Sequence, residues 1–282
     1  MSAADTSAVN REAVVQVLVG LESALVAFSG GADSALLLRL ADEHVPRRVL
    51  AVTAVSPLHP GGSHAARVAA ELGVEHRMVE VDPLADPAFR GNPPDRCYIC
   101  KHHIFSALFE LARAEGLAHV IEGSNTDDLD EFRPGRRALA ELGARSPLVD
   151  AGLSKADVRV LSRELGLPTA ARVSDTCLAT RFPYGAELTH EALDRAGRAE
   201  AILRPLVDGA LRVRVEGATA RIEVDPSQIP RIANPKVGAR LDEQLCGLGF
   251  ERVTVDLAGY RSGSMDEALT EDQRREAERG EG

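Results

Sequence analysis

Two loops and a cysteine pair carry residue types whose spacing could do chemistry. Ser29-Gly30-Gly31-Ala32-Asp33-Ser34 follows the apolar run Ala24 to Phe28 and opens the alanine- and leucine-rich stretch Asp33 to Leu40. That order reads as strand, glycine turn, helix. The first amides of a helix lack intrahelical acceptors and point outward at the positive end of the dipole, where an anion is held. Gly30 and Gly31 remove the Cβ atoms that would keep a phosphate from the backbone, and the Ser29 and Ser34 hydroxyls can donate to its oxygens. Asp33 repels a phosphate unless it caps the helix or holds a Mg²⁺ between them, and both roles are expected. A plain glycine turn capped by Asp33 is the alternative reading. No Gly-Lys-Ser/Thr follows, which excludes a Walker A loop.

Cys97-Tyr98-Ile99-Cys100 comes after the prolines 93 and 94, which bar regular structure before Arg96, and precedes an amphipathic stretch from Lys101 to Glu115. The two thiols therefore stand at a helix entrance, where the dipole favours thiolate and where a metal, cluster or redox role is open; two small apolar residues starting a helix is the bland alternative. The third candidate is Cys177, in the polar loop from Arg172 to Gly185, between Arg172 and Arg181. Cationic neighbours raise the thiolate fraction and make it a candidate nucleophile; a buried structural cysteine is the alternative. Cys246, between Leu245 and Gly247, fits a structural role.

Elements must hold these loops in place. Apolar spacing predicts a helix over residues 9–20 covering a sheet edge, strands at Arg48 to Ala54, His76 to Val81 and His119 to Ile121, and helices at Ser63 to Leu72 and Lys155 to Leu165. The βαβα alternation requires parallel strands with helices on the faces, and ligands in such sheets lie beyond the strands' carboxyl ends, near the reversal of strand order. The Ser29 loop satisfies that. So does the run from Gly123 to Asp130, whose Asn125, Asp127 and Asp128 are candidate Mg²⁺ or nucleotide contacts as well as ordinary turn formers. Beyond a boundary near Tyr184 to Thr189, helices at His190 to Leu203 and Pro235 to Leu248 and strands at Leu211 to Val215, Ala220 to Val224 and Arg252 to Asp256 predict a smaller α+β domain. Arg212, Arg214 and Arg221 fall on its strands, as exposed side chains or as an anion site. The expected organisation is a doubly wound parallel α/β domain over residues 1–186, an α+β domain over 187–268 and a charged, fraying tail over 269–282.

Composition narrows the classes. A chain of 282 residues is long enough for two cores, and its net charge of −10 argues against a broad nucleic-acid surface. Four unevenly spread cysteines do not make a secreted disulfide framework, and the sequence holds neither a membrane-spanning run nor a signal-peptide pattern, so a cytoplasmic protein is expected.

Ser-Gly-Gly-x-Asp-Ser resembles the pyrophosphate loop of the PP-loop ATPases, whose members cleave ATP between the α and β phosphates and adenylate an oxygen of the substrate. Further blocks point to one branch. Pro93 to Lys101, Gly123 to Asp130 with Arg133-Pro134-Gly135, Ser146-Pro147-Leu148, Cys177 to Gly185 and Gly259 to Met265 occur in the order of the LarE family. These are ATP-dependent sulfur transferases of nickel-pincer nucleotide biosynthesis, which makes the cofactor of lactate racemase. The resemblance implies that a carboxylate of pyridinium-3,5-biscarboxylic acid mononucleotide is adenylated with ATP and Mg²⁺ and then takes sulfur. The donor is either Cys177 itself, left as dehydroalanine, or a sulfide on a [4Fe-4S] cluster held by Cys97, Cys100 and Cys177. Arg181, Arg212 and Arg214 are candidate contacts to the substrate phosphate, and a homo-oligomer is implied. Ala32 and Ala35 depart from the family's loop in a minor way; Val215-Glu216 stands where the family often has histidines, which puts a site role of that strand in question. Other readings are a PP-loop tRNA thiolase, an ammonia-using amide synthetase, and a non-catalytic AMP- or ATP-sensing module.

Overall fold

The computed structural model describes residues 3–59, 61–129, 132–170, 176–261 and 263–279. Asp130, Arg172 to Asp175 and Ser262, all within stretches singled out above, lie outside the described residues. In chain order the elements are α1 (Ala3–Val19), β1 (Ser23–Ala27), α2 (Ala32–His44), β2 (Arg48–Val55), α3 (Gly62–Leu72), β3 (His76–Glu80), α4 (Pro87–Arg90), α5 (Arg96–Ala114), β4 (His119–Ile121), α6 (Gly135–Leu142), α7 (Pro147–Asp150), α8 (Lys155–Glu164), α9 (His190–Leu203), β5 (Leu211–Glu216), β6 (Thr219–Val224), α10 (Ile229–Ile232), α11 (Pro235–Cys246), β7 (Arg252–Val255) and α12 (Glu271–Arg279). Among the described residues no helix is long and apolar enough to cross a membrane.

The chain divides into two compact units. The first comprises residues 1–83, 95–175 and 276–282, the second residues 84–94 and 176–275.

In the first unit the strands run in the order β3-β2-β1-β4, all parallel. Strand residues alternate between two cores, as the period of a β-strand requires. Ala24, Val26 and Phe28, with Ala51 and Ile121, face α1, α2, α3 and α8; Leu25, Leu50, Val52 and Val120 face Phe105 and Leu108 of α5 and Leu139 of α6. The sheet is thus doubly wound. Leu36, Leu37, Leu38 and Leu40 of α2 are all fully buried, because this helix is enclosed by the sheet and by α1 and α8; each contributes about 1.5–3 kcal/mol by leaving water. α1 was expected at the sheet edge; Val14 and Leu18 instead pack it on α2, α7 and α8.

β1 leads outward through β2 to β3, and β4 returns to β1's other side, so strand order reverses between β1 and β4. That reversal opens a crevice at their carboxyl ends, where loops 28–31 and 122–128 leave the sheet.

The second unit carries a three-stranded sheet ordered β5-β6-β7, with β5 antiparallel and β7 parallel to β6. Leu193, Ala196, Ala199 and Leu203 form α9's buried face, and Leu211, Val213 and Val215 of β5 are buried with them. Residues 176–185 belong to this unit rather than to the ATP-loop unit expected from the sequence. Leu188 N, which donates to Arg90 O at 2.8 Å, helps to tie 84–94 to the second unit, and so does Asn92. Its side chain is fully buried and donates to the carbonyls of Phe182 (3.3 Å) and Pro183 (2.8 Å), while its own carbonyl accepts from Gly185 N at 3.0 Å. Asn92 also has φ +48°, a left-handed conformation that asparagine tolerates better than most residues. The tail expected to fray forms α12, with Ala277 buried and the carbonyls of Ala277 and Glu278 each 3.3 Å from the Arg137 guanidinium.

Candidate active site

The Ser29 loop leaves β1 and turns directly into α2. Gly30 has φ +74°, and a Cβ there would stand 3.0 Å from Ala65 Cα, so only glycine fits. The two hydroxyls brace the turn: Ser29 Oγ lies 3.0 Å from Ser34 Oγ and accepts from Gly31 N at 3.3 Å, while Ser34 Oγ accepts from Ser29 N (3.3 Å). The helix cap is Gly31, with no side-chain cap. Asp33 therefore does not cap α2, contrary to expectation; it sits in the first turn and its carboxylate is drawn sideways to the loop after β4. Asn125 Nδ2 donates to Asp33 Oδ1 at 3.3 Å, and Lys155 Nζ donates to Asp33 Oδ2.

The loop after β4 is held close to α2 by shape. A Cβ on Gly123 would stand 3.0 Å from Ser34 N and 3.1 Å from the Asp33 carbonyl carbon, both of them backbone atoms that cannot yield. Glu122, buried at the end of β4, accepts from Ser124 N (3.0 Å) and Ser124 Oγ (2.8 Å) and from Ser146 Oγ. Asn125 is almost fully buried; its N–H donates to Asp128 Oδ2 (3.0 Å), and its Oδ1 accepts from Asp127 N (3.1 Å). Of the three polar residues proposed to touch nucleotide, Asn125 thus reaches Asp33. Asp128 shapes the loop and pairs with Arg133 at 2.8 Å, and exposed Asp127 accepts from Lys155 N at 3.3 Å.

Helix α5 begins at Arg96, five residues before the start expected from the sequence, so Cys97 and Cys100 lie inside its first turns. One turn apart, they share a side of the helix; Cys97 is exposed and Cys100 buried. Gly135, at the start of α6, permits that helix to approach: a Cβ there would meet Cys97 O at 3.1 Å.

In the second unit Cys177, partly buried, precedes the short helical turn Leu178–Arg181. The turn is tied to Arg181, whose guanidinium is 3% exposed. It forks onto Glu200 (Nε–Oε1 2.7 Å, Nη2–Oε2 2.9 Å) and reaches Thr176 Oγ1 (2.7 Å), Thr180 Oγ1 (2.8 Å) and Cys177 O (3.3 Å) through Nη1. Arg181 therefore holds the cysteine's main chain, and its donors are directed into the protein rather than at a ligand. Arg214 is engaged likewise, with Glu223 (2.9 Å), Thr180 O (2.6 Å) and Ser264 Oγ (3.1 Å).

Arg212 differs. It is 6% exposed, its Nη1 donates to Leu211 O at 2.7 Å, and its guanidinium lies 5.1 Å from the Tyr260 ring, with no carboxylate in ion-pair contact among the described residues. Burial, and after it the charge of Arg181, push its pKa below the ordinary arginine value. Arg221 pairs with Glu216 (3.0 Å) and Asp256 (2.6 Å), which leaves Glu216 an exposed ion-pair partner; Val215 is core. Cys246 ends α11, its pKa raised by desolvation and by Asp242 beside it.

Sequence reading missed Lys155, Glu122 and Glu200. The first had one local signal: a lysine at the first position of a capped helix, where the dipole disfavours a cation.

The family model described as asparagine synthase matches residues 7–90. An uncharacterized protein of Synechocystis sp. is 42% identical over 252 residues, covering 89% of this chain and 94% of its own. The pyridinium-3,5-bisthiocarboxylic acid mononucleotide synthase of Lactiplantibacillus plantarum is 38% identical over 271 residues, 95% of this chain and 98% of its own. An uncharacterized protein of Methanocaldococcus jannaschii is 31% identical over 238 residues, 84% of this chain and 90% of its own. With the glycine cradle at the sheet's reversal point and near full-length kinship to the synthase, the chain belongs to the LarE family of PP-loop, ATP-dependent sulfur transferases.

Proposed function

We propose that the protein adenylates a carboxylate of pyridinium-3,5-biscarboxylic acid mononucleotide and converts it to a thiocarboxylate. The observation that carries this reading is the Ser29–Ser34 cradle at the β1–β4 reversal, in a chain 38% identical to the Lactiplantibacillus plantarum synthase over 95% of its length. A carboxylate is a poor electrophile, and adenylation supplies the leaving group that sulfur attack needs. The cradle's amides bind the pyrophosphate end of ATP. Asp33 is a hard oxygen ligand suited to Mg²⁺, which offsets phosphate charge; Mg²⁺ needs only one or two protein carboxylates beside phosphate oxygens. Among the described residues no three or more His, Cys, Asp or Glu side chains form a group that could hold a metal ion.

Cys177 then attacks the acyl-adenylate and AMP leaves with the electron pair of the broken bond. Loss of the Cα proton and cleavage of the Cβ–Sγ bond release the thiocarboxylate and leave dehydroalanine. In the second version Cys97, Cys100 and Cys177 would hold a [4Fe-4S] cluster, which would supply exchangeable sulfide, and the helical spacing of the first two fits two ligands of one cluster. Intact mass and an anaerobic absorption spectrum after turnover separate the versions. Loss of about one H₂S, roughly 34 Da, from a colourless protein marks Cys177 as consumed donor. A broad band near ~400 nm that disappears in Cys97→Ala, with unchanged mass, marks the cluster. Absence of substrate-dependent pyrophosphate release would refute both. Light scattering on the full chain tests the homo-oligomer.

Arg212 takes the substrate's phosphate in this reading, because this buried guanidinium has no carboxylate within ion-pair distance among the described residues and feels Glu200 only from farther off. Arg212→Met should raise KM for the nucleotide roughly 10- to 150-fold, the equivalent of one or more charge-assisted hydrogen bonds, with melting temperature unchanged or higher. Wild-type KM in that variant would remove Arg212 from the site.

A further inference from the structure

The peptide between Gly30 and Gly31 is the one link of the cradle whose facing no side chain of its own fixes. Gly30 has φ +74° and Gly31 φ −79°. A half-turn of that peptide plane alters only ψ of Gly30 and φ of Gly31, and glycine accepts either sign of φ. The two facings are not equal for an anion. In one the Gly31 N–H lies toward the Ser29 and Ser34 hydroxyls. In the other the Gly30 carbonyl takes its place, and its partial negative charge repels a phosphate.

The first facing is held from both sides. Gly31 N donates to Ser29 Oγ at 3.3 Å, and the Gly30 carbonyl, opposite it across the trans peptide, lies 3.2 Å from His64 Nε2. His64 stands in the first turn of α3, with its Cδ2 3.1 Å from where a Gly30 Cβ would be. Arg67, one turn on, decides where the ring carries its hydrogen. Its Nη2 lies 3.1 Å from His64 Nδ1, and a guanidinium nitrogen only donates. Nδ1 is therefore the acceptor, and the hydrogen is on Nε2, aimed at Gly30 O. Burial does not account for the pair, since His64 is half-buried and Arg67 exposed. The carbonyl before Ser29 is bound outward as well, with Thr53 Oγ1 donating to Phe28 O at 2.6 Å.

We propose that His64 is a positioning residue for ATP. It pins the Gly30 carbonyl away from the cradle, so that the Gly31 N–H stays turned to the pyrophosphate end of the nucleotide, and Arg67 sets the tautomer this requires. The role rests on the adenylation reading above. His64 touches neither nucleotide nor substrate and exchanges no proton. When pyrophosphate enters, the Gly31 N–H passes from Ser29 Oγ to a phosphoryl oxygen while the bond from His64 remains, so the donor is oriented before the ligand arrives.

The test uses the full chain and its His64→Leu and His64→Gln variants, titrated calorimetrically with inorganic pyrophosphate plus Mg²⁺ and with AMP. Leucine fills the space without a donor, whereas glutamine keeps a side-chain N–H. His64→Leu should weaken pyrophosphate binding about three- to tenfold, the equivalent of one hydrogen bond, with AMP affinity within about twofold and most of the loss recovered in His64→Gln. Nitrogen NMR of the wild type should show the His64 hydrogen on Nε2, with and without pyrophosphate. Wild-type pyrophosphate affinity in His64→Leu would overturn the proposal, as would a loss that glutamine does not reduce, an equal loss of AMP binding, a hydrogen on Nδ1, or wild-type protein that fails to bind pyrophosphate. Wild-type protein that binds pyrophosphate but releases none from ATP and the biscarboxylate nucleotide would instead sink the adenylation reading, and the titrations would still decide His64.

Discussion

Cys177→Ala is expected to release pyrophosphate from ATP and the biscarboxylate nucleotide as the wild type does, while thiocarboxylate formation falls by more than about 10³-fold, the scale on which losing a nucleophile acts. The separation follows from where the groups lie. The Ser29 loop, to which we assign adenylation, is in the first unit and Cys177 in the second. The contacts that shape the cysteine's turn run through its main chain, since Cys177 O accepts from Thr180 N (3.0 Å), Thr180 Oγ1 (2.7 Å) and Arg181. Alanine keeps all of them. Quenched reactions followed by mass spectrometry of AMP, pyrophosphate and product would read both halves at once. Thiocarboxylate at the wild-type rate would exclude Cys177 from the sulfur path in either version, and loss of pyrophosphate release as well would tie the cysteine to adenylation.

Arg181→Met should produce the largest loss of stability, about 3–5 kcal/mol, because it leaves a charge uncompensated inside the protein. Glu200 is 14% exposed, and beyond Arg181 it accepts only from Val213 N at 2.9 Å among its described contacts. The same substitution frees the turn at Thr176, Cys177 and Thr180. Arg181→Lys retains charge but not the planar fork, so it should recover a minority of the loss. Urea unfolding measures both; a midpoint for Arg181→Met equal to the wild type would show that the turn is held by something other than this arginine. Sulfur transfer in the surviving folded fraction should fall as well, through misplacement of Cys177 and not through adenylation.

The strand-to-helix cradle was legible because its signals are local: an apolar run, two glycines, then leucines at helical spacing. β4 and α9 were legible to their end residues for the same reason. What the sequence could not reveal lies in long-range pairing. Arginines 181, 212 and 214 read alike along the chain, yet two are committed to Glu200 and Glu223 and one is not, a difference set by the register of β5 and the face of α9. Asp33 looked like a cap because the competing partners, Asn125 and Lys155, enter from loops far along the chain. α6 and α7 went unseen: each begins at or beside a proline and is too short for a periodic pattern to rise above its surroundings. The contacts that place residues 84–94 with the second unit include those of Asn92 to Phe182 and Pro183 and of Arg90 O to Leu188 N; all are remote and end on backbone groups, so side-chain type gave no hint of them.

The interleaving of the two units bears on synthesis. The chain enters the second unit at residue 84, returns at 95, leaves again at 176 and comes back at 276. A ribosome therefore delivers the Asn92 segment well before the turn it fastens, and Ala277 and Glu278, whose carbonyls meet Arg137, only after every segment of the second unit has emerged. The first unit, though it begins the chain, is therefore the last to be completed, which is not how tandem domains emerge. For the same reason no single cut in the coding sequence yields either unit whole, so the Ser29 cradle and Cys177 are inherited together.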